Sequence, residues 1–351
     1  MKKVLLGMST NELKLLAIAS GEKEFRGKQV ADWIYRQGCR KIDDMANLPA
    51  DFKVRMESEY QVGRSEIKKL RKGKDGTFKL LLRPVFDELI ETVGMPYEER
   101  FSCCVSTQVG CAIGCAFCAT GAAGFKRNLA AGEIVDQVLT VGEVALKEKL
   151  LGAGGRISHV VFMGMGEPLI NYDATLTAVK LLNAELKIGM RNITVSSIGY
   201  VPGIYRLAKE QLQFELKIFK ERVEQYPTDL NLKYEYGRRL FASGKLDDAI
   251  GMLQQAQRDP KRRIQAMTLL GQSFDKMGWY PQAVDTYSRA LESELTEERA
   301  KDLRYSLGCA LRAMGEKEKA LEQFSQVAQV DFTYRDVRKQ IEDLRKEMSE
   351  G

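Results

Sequence analysis

The sequence predicts an α/β unit followed by an all-α solenoid, and three observations carry that prediction. From about residue 101, apolar strands alternate with amphipathic helices, the order that produces parallel βαβ units. After about residue 212 only helical patterns remain, with small and large residues recurring at fixed offsets about 34 residues apart. The first 75 or so residues show neither pattern and read as short helices with loops. The expected organisation is a small helical domain over residues 1–75, an α/β domain over 76–212 and a helical repeat domain over 213–351.

In the first segment Thr10 is placed to cap a helix carrying Leu13, Leu15, Leu16 and Ile18, and Gln29 to Tyr35 and Phe52 to Tyr60 suggest two more. Thr77 to Leu82 and Leu89 to Val93 are strand-like, and Val105 lies on a strand that leads into a cysteine-rich loop. Gly132 to Leu150 forms a helix with Ile134, Val135, Val138 and Leu139 on one face. Ile157 to Met163 is a buried strand, followed by a helix bearing Leu176, Val179 and Leu182. The strand Asn192 to Ile198 and the helix Gly203 to Glu210 complete the alternation. In the third segment Gly237, Leu240, Gly244, Ala249, Leu253 and Ala256 set a spacing that Gly271, Phe274, Gly278, Ala283, Tyr287 and Ala290 repeat. Gly308, Leu311, Gly315, Ala320 and Phe324 repeat it again after three extra residues, and this pattern resembles a three-unit tetratricopeptide array. Gly and Ala at those positions let paired helices approach while the larger residues fill between them.

A hydrophobic content of 44% and a charged content of 29% describe an ordinary globular chain. The opening apolar run is broken by Thr10, Asn11 and Glu12, too early for a secretory signal, and no later stretch reaches membrane-spanning length. The expected location is cytoplasmic, with no membrane partner. A net charge of +6 permits contact with phosphate. The densest basic run, KKLRKGK from Lys68 to Lys74, reads equally as a solvated face and as an RNA-facing patch. The single histidine, His159, excludes HExxH zinc sites and His-paired zinc fingers.

Four of the seven cysteines lie between Cys104 and Cys118, a clustering that points to metal or redox chemistry rather than structural disulfides. Cys111-x3-Cys115-x2-Cys118 sets three thiolates on one loop, and three cysteines ligate three irons of a four-iron cubane. The fourth iron is then open to the amino and carboxylate groups of S-adenosylmethionine, the radical-SAM arrangement. Phe117 would cover the cluster, and Gly110 and Gly114 would permit the tight loop. Zinc, with Cys103 or Cys104 as fourth ligand at an unusual spacing, and inert buried thiols are the alternatives. Further on, VVFMGMGEP ends a predicted buried strand, so that backbone groups at Gly166 and the carboxylate of Glu167 can meet the amino group of a ligand. Ser196, at the end of the next strand, reads either as a ligand contact or as a satisfied hydroxyl.

Together these strings resemble the dual-specificity adenine-C2 methyltransferases of ribosomal and transfer RNA. The resemblance runs from about residue 8 to residue 212 and rests on EFRGKQVADWIYRQG, DGTFKLLL, IETV, CVSTQVGC, FMGMGEPL and ITVSSIG, in that order. It implies an RNA-binding-like accessory domain, a radical-SAM (β/α) barrel, a [4Fe–4S] cluster on Cys111, Cys115 and Cys118, and S-adenosylmethionine held by Gly166, Glu167 and Ser196. It also implies that one S-adenosylmethionine methylates a cysteine near the C-terminus while a second supplies the radical that draws hydrogen from that methyl. Cys104 then corresponds to the cysteine that resolves the protein–RNA adduct, and Glu91 to the proton acceptor.

The resemblance stops after ITVSSIG. EQLQ (Glu210 to Gln213) passes without a linker into helices of the repeat array, so about half the barrel is expected, without the methyl-carrying cysteine. The last cysteine, Cys309, sits inside the third repeat. Two functions are therefore expected to compete: a catalytically incomplete radical-SAM RNA methyltransferase, and a tetratricopeptide interaction scaffold that binds a protein or peptide and carries an inactive iron–sulfur remnant.

Overall fold

The computed structural model describes residues 2–85, 88–151 and 155–349. It divides into two compact units, Met1–Ile204 and Tyr205–Gly351.

The first unit opens with β1 (Lys3–Val4), then α1 (Thr10–Ala19), α2 (Glu24–Tyr35), α3 (Ala50–Glu59) and β2 (Tyr60–Gln61), which pairs parallel with β1. The cap of α1 is Ser9, one residue before the expected Thr10: its hydroxyl accepts from Glu12 N–H at 3.3 Å and its own N–H donates to Glu12 at 2.7 Å. Thr10 donates its N–H and hydroxyl to the Glu185 carboxylate instead, at 2.9 and 2.6 Å. That partner lies far along the chain, where no local pattern could reveal it.

The principal sheet contains β3 (Glu66–Lys72), β4 (Phe78–Arg83), β5 (Ile90–Pro96) and β6 (Phe101–Cys104) in antiparallel succession. Next come β7 (Gln108–Gly110), the single turn α4 (Ala119–Ala122), β8 (Phe125–Asn128) and α5 (Ala131–Lys147). Then follow β9 (His159–Phe162), α6 (Tyr172–Ala184), β10 (Ile193–Val195) and α7 (Val201–Gln225). Strands β6, β9 and β10 are mutually parallel, and the sheet order is β10-β9-β6-β5-β4-β3. The βαβ alternation is thus present as three parallel strands.

Paired residues share a face. The row Phe78–Gly94–Cys103–Val160 is buried in the core with Ile134, Val135, Leu181 and Leu182. The opposite row, Arg71–Lys79–Val93–Cys104–Val161–Thr194, is exposed or half-buried.

Three expectations change. The sheet starts at Glu66, before residue 76, and the basic run lies on β3, an edge strand exposed along its whole length. Lysines suit such an edge because they oppose pairing with another chain, but they leave no apolar alternation to read. The first 75 residues also share one core with the sheet: Leu13, Ile34 and Phe52 belong to the same cluster as Leu80, Ile134 and Val160. Helix α7 runs unbroken through EQLQ, where the sequence suggested a junction. Lys209 to Gln213 contains only strong helix formers and no Gly or Pro to stop it.

The second unit continues with α8 (Leu230–Ala242), α9 (Leu246–Ala256), α10 (Arg263–Lys276), α11 (Tyr280–Leu291), α12 (Glu297–Ala313), α13 (Lys317–Val330) and α14 (Val337–Ser349). The three expected helix pairs are α8–α9, α10–α11 and α12–α13. A Cβ on Gly237, Gly271 or Gly308 would come within 2.9, 2.4 or 2.9 Å of Leu253, Tyr287 or Phe324 respectively, so each pair closes on the same small–large contact. Among the described residues no helix is long and apolar enough to cross a membrane.

Candidate functional site at the ends of the parallel strands

Three sequence motifs meet at one end of the sheet. The cysteine loop follows β6, the GEP turn follows β9 and Ser196 follows β10, so all three lie at the C-terminal ends of parallel strands, where α/β folds gather their ligands.

The cysteine loop is closed at its base by the antiparallel pair β7–β8. Gly110 has φ +74°, and a Cβ there would lie 1.7 Å from the Gly124 carbonyl oxygen, so only glycine lets the two arms cross. Gly114 has φ +66° in open space. Within the loop Cys118 N–H donates to the Cys115 carbonyl at 3.1 Å, and Cys118 caps α4. The Gly121 and Thr120 amides hold the Cys118 thiol below the usual thiol range. Cys111, Cys115 and Cys118 are all half-buried and in no disulfide. Among the described residues no three His, Cys, Asp or Glu side chains stand close enough together to hold a metal ion. The donor set itself fits an iron–sulfur cluster: soft thiols, three in number, on one clamped loop. Phe117, expected as a cover, is 95% exposed.

A buried polar web fixes this loop against its neighbours, and sequence reasoning missed it. Ser106, Thr107 and Gln108 are at most 1% exposed. The Gln137 amide pairs with the Ser106 backbone in both directions at 2.8 Å. Ser106 Oγ donates to the Glu91 carbonyl at 2.6 Å and accepts from Met165 N–H at 2.9 Å. Gln108 accepts from Glu167 N–H at 3.0 Å and donates to Asn128 at 2.8 Å. Asn171 donates to the Thr107 and Leu129 carbonyls at 2.8 and 2.7 Å. Buried amides placed in pairs to satisfy backbone groups rigidify a site. The STQ of CVSTQVGC was the available signal, since three consecutive polar residues beside a buried strand need buried partners.

The GEP turn lies directly on this web. Gly166 has φ +99°, and a Cβ there would meet Gln108 at 2.6 Å. Glu167 is 3% exposed, and its two carboxylate oxygens accept from Leu169 N–H and Ile198 N–H, each at 3.0 Å. It therefore ties the end of β9 to the segment after β10, leaving only its remaining lone pairs for a ligand. Ser196 is exposed just beyond β10.

Glu91 and Cys104 lie on the same open face of adjacent strands, since Glu91 is two residues before Val93, the partner of Cys104. Glu91 Oε2 pairs with Lys79 Nζ at 3.0 Å. Burial raises the Cys104 thiol above its usual range, and a hydrogen bond with the Met163 backbone opposes this. Cys309, in α12, is half-buried against the repeat core, and burial likewise raises its thiol.

Residues 105–230 match the radical SAM superfamily, residues 4–62 match the ribosomal RNA large subunit methyltransferase N-terminal domain, and residues 264–336 match a tetratrico peptide repeat. The chain is 46% identical over 215 residues to the probable dual-specificity RNA methyltransferase RlmN of Thermosynechococcus vestitus, covering 61% of each chain. It is 45% identical over 230 residues to the same-named protein of Gloeobacter violaceus, covering 65% of this chain and 62% of that one. The crystal structure of a radical SAM methyltransferase from Sphaerobacter thermophilus matches with a TM-score of 0.55 and 40% identity, over 59% of this chain and 60% of that one. The chain spans about three fifths of the length of the curated relatives it matches.

Proposed function

We propose that the first unit is a radical S-adenosylmethionine domain directed at adenine C2 of ribosomal and transfer RNA. The observation that carries this reading is the joining of the three-cysteine loop to the GEP turn through Gln108 and Ser106 at the C-terminal ends of parallel strands. Cys111, Cys115 and Cys118 would hold a [4Fe–4S] cluster, which when bound supplies the electron for cleaving S-adenosylmethionine. Gly166 lets the turn close onto Gln108, Glu167 fixes the geometry of that turn, and Ser196 lies at the neighbouring strand end, the three positions proposed to meet the cofactor. On the open sheet face Glu91, paired with Lys79, and Cys104 occupy the positions that the resemblance assigns to the proton acceptor and to the adduct-resolving cysteine, roles that come into play only where a methyl-carrying cysteine forms the adduct.

The proposed chemistry stops short of methyl transfer. The only cysteine beyond the loop in these 351 residues is Cys309. It is held within the third repeat, with its thiol raised by burial, unsuited to receiving and presenting a methyl group. Orientation of reacting groups supplies much of an enzyme's rate, and a thiol fixed in helix packing forfeits it. The test is anaerobic incubation of the iron-loaded protein with S-adenosylmethionine, dithionite and ribosomal RNA. Formation of 5′-deoxyadenosine without 2-methyladenosine is expected. Appearance of 2-methyladenosine that vanishes in Cys309→Ala would overturn this part of the account. The repeat unit, which has a core of its own, supports a second contribution, the binding of a protein or peptide.

A further inference from the structure

We propose that the cleft between α7 and the α8–α9 turn is a docking groove for an acidic amphipathic helix of a partner protein. This goes beyond the RNA chemistry proposed above and rests on the second unit alone. The cleft has a volume of ≈ 810 Å³, with Leu212, Leu216 and Tyr236 among its lining residues. Four lysines, Lys209, Lys217, Lys220 and Lys245, also line it, and no carboxylate does. Among the described residues none of the four forms an ion pair.

The sequence of α7 explains why the cleft exists. Lys209, Leu212, Leu216 and Lys220 recur at helical spacing and occupy one face. The adjoining flank carries Glu215 and Phe219, and both engage one side chain of α8: Arg239 pairs with Glu215 at 2.6 Å and stands 3.9 Å from the centre of the Phe219 ring. These contacts hold α7 by one edge; Leu216 and Tyr236 pack in part on the repeat core, and their remaining surface, with Leu212, faces the cleft. Leu212 and Leu216 are half-buried, while Lys209, Lys217, Lys220 and Lys245 are exposed. The nearby carboxylates of Glu224 and Asp248 act on the Tyr236 hydroxyl and stand outside the lining.

An apolar stripe flanked by unpaired lysines fits a helix that presents leucine-like residues at i, i+3 and i+7 between carboxylates. The leucines anchor it, and the charges speed encounter and fix its register. Single-stranded RNA would share the charge preference and could stack on Tyr205 or Tyr236, but the floor between the lysines on α7, Leu212 and Leu216, is aliphatic and offers bases no stacking face. The observations therefore favour a protein segment.

The test uses the full chain and fluorescence anisotropy with a synthetic helical peptide of glutamate and leucine, about 16 residues or four turns long. The comparison probes are the same peptide with glutamine for glutamate and a uridine oligonucleotide of equal length. The glutamate peptide is expected to bind, to weaken as salt rises, and to lose at least about tenfold in affinity for the variant K209E/K217E/K220E. These exposed substitutions leave the helical unfolding transition in place, which circular dichroism checks, and Leu212→Ser should weaken binding without changing net charge. Equal affinity for the glutamine peptide, unchanged binding to the charge-reversed variant, or binding of the oligonucleotide in preference to the peptide would overturn the proposal.

Discussion

The two units are built on opposite plans. In the first, residues far apart in sequence are tied by buried and half-buried polar groups: Arg64 to Asp136 and Glu143, Ser106 to Gln137, Thr10 to Glu185. In the second, each helix packs on its neighbours through a repeated small–large contact, and its core is apolar. The first plan gives a rigid floor for chemistry but makes it hostage to single side chains. The second distributes stability over many local contacts and tolerates loss of any one of them.

The largest expected effect exploits that difference. Arg64 and Asp136 are at most 1% exposed at their side chains, and Arg64 also donates to Glu143 at 2.6 Å and to the Gly38 carbonyl at 2.5 Å. Removing one member of such a buried pair strands the other charge, so Arg64→Ala should destabilise the first unit by about 3–5 kcal/mol. Denaturant unfolding should show the first unit's transition moving while the helical transition of the repeats stays. A shift of both would mean that the plans are not separate.

A smaller effect is expected at the repeat contacts. Gly271→Val places a branched side chain against the fully buried Tyr287, and overpacking of this kind costs roughly 1–3 kcal/mol. Gly251, in the interior of α9, has nothing within 4 Å of its would-be Cβ, so Gly251→Ala should raise stability by roughly 0.5–1 kcal/mol. Opposite signs in thermal melts would confirm that helix approach, not glycine as such, sets these positions.

The smallest effect is electrostatic. Asp275 lies in the last turn of α10, and burial raises its carboxyl above the usual range. Its folded state therefore holds a proton more tightly than the unfolded chain. Stability is greatest below the ordinary carboxylate value, falls as pH rises through the raised one, and stays lower at neutral pH. Asp275→Asn should recover a few tenths of a kcal/mol at pH 7, after discounting for solvent screening, and should change nothing in acid. A gain that persists at low pH would assign the effect to packing.

Much of this was legible in the sequence, for reasons that differ between the units. The repeat period was readable because each unit restates the same local geometry, down to Gly237, Gly271 and Gly308. In the first unit the cysteine loop and the GEP turn were readable as strings, and their placement followed from strand alternation. What stayed hidden depends on distant partners. Gln137 looks like an ordinary helix residue and Asn171 like an ordinary helix cap until Ser106 and Thr107 are seen beside them. The strand Glu66–Lys72 was missed because an exposed edge needs no apolar alternation. Glu167 looked like a free acceptor, and its two backbone hydrogen bonds could not be foreseen before the segment around Ile198 was placed.

The central claim is that Cys111, Cys115 and Cys118 form a cluster site. Anaerobic reconstitution with iron and sulfide, followed by quantitation of both, tests it on the wild type, Cys115→Ala and Cys309→Ala. The account expects about four irons and four sulfides per chain in the wild type and in Cys309→Ala, and a large loss in Cys115→Ala. Equal iron and sulfide in all three proteins would contradict it.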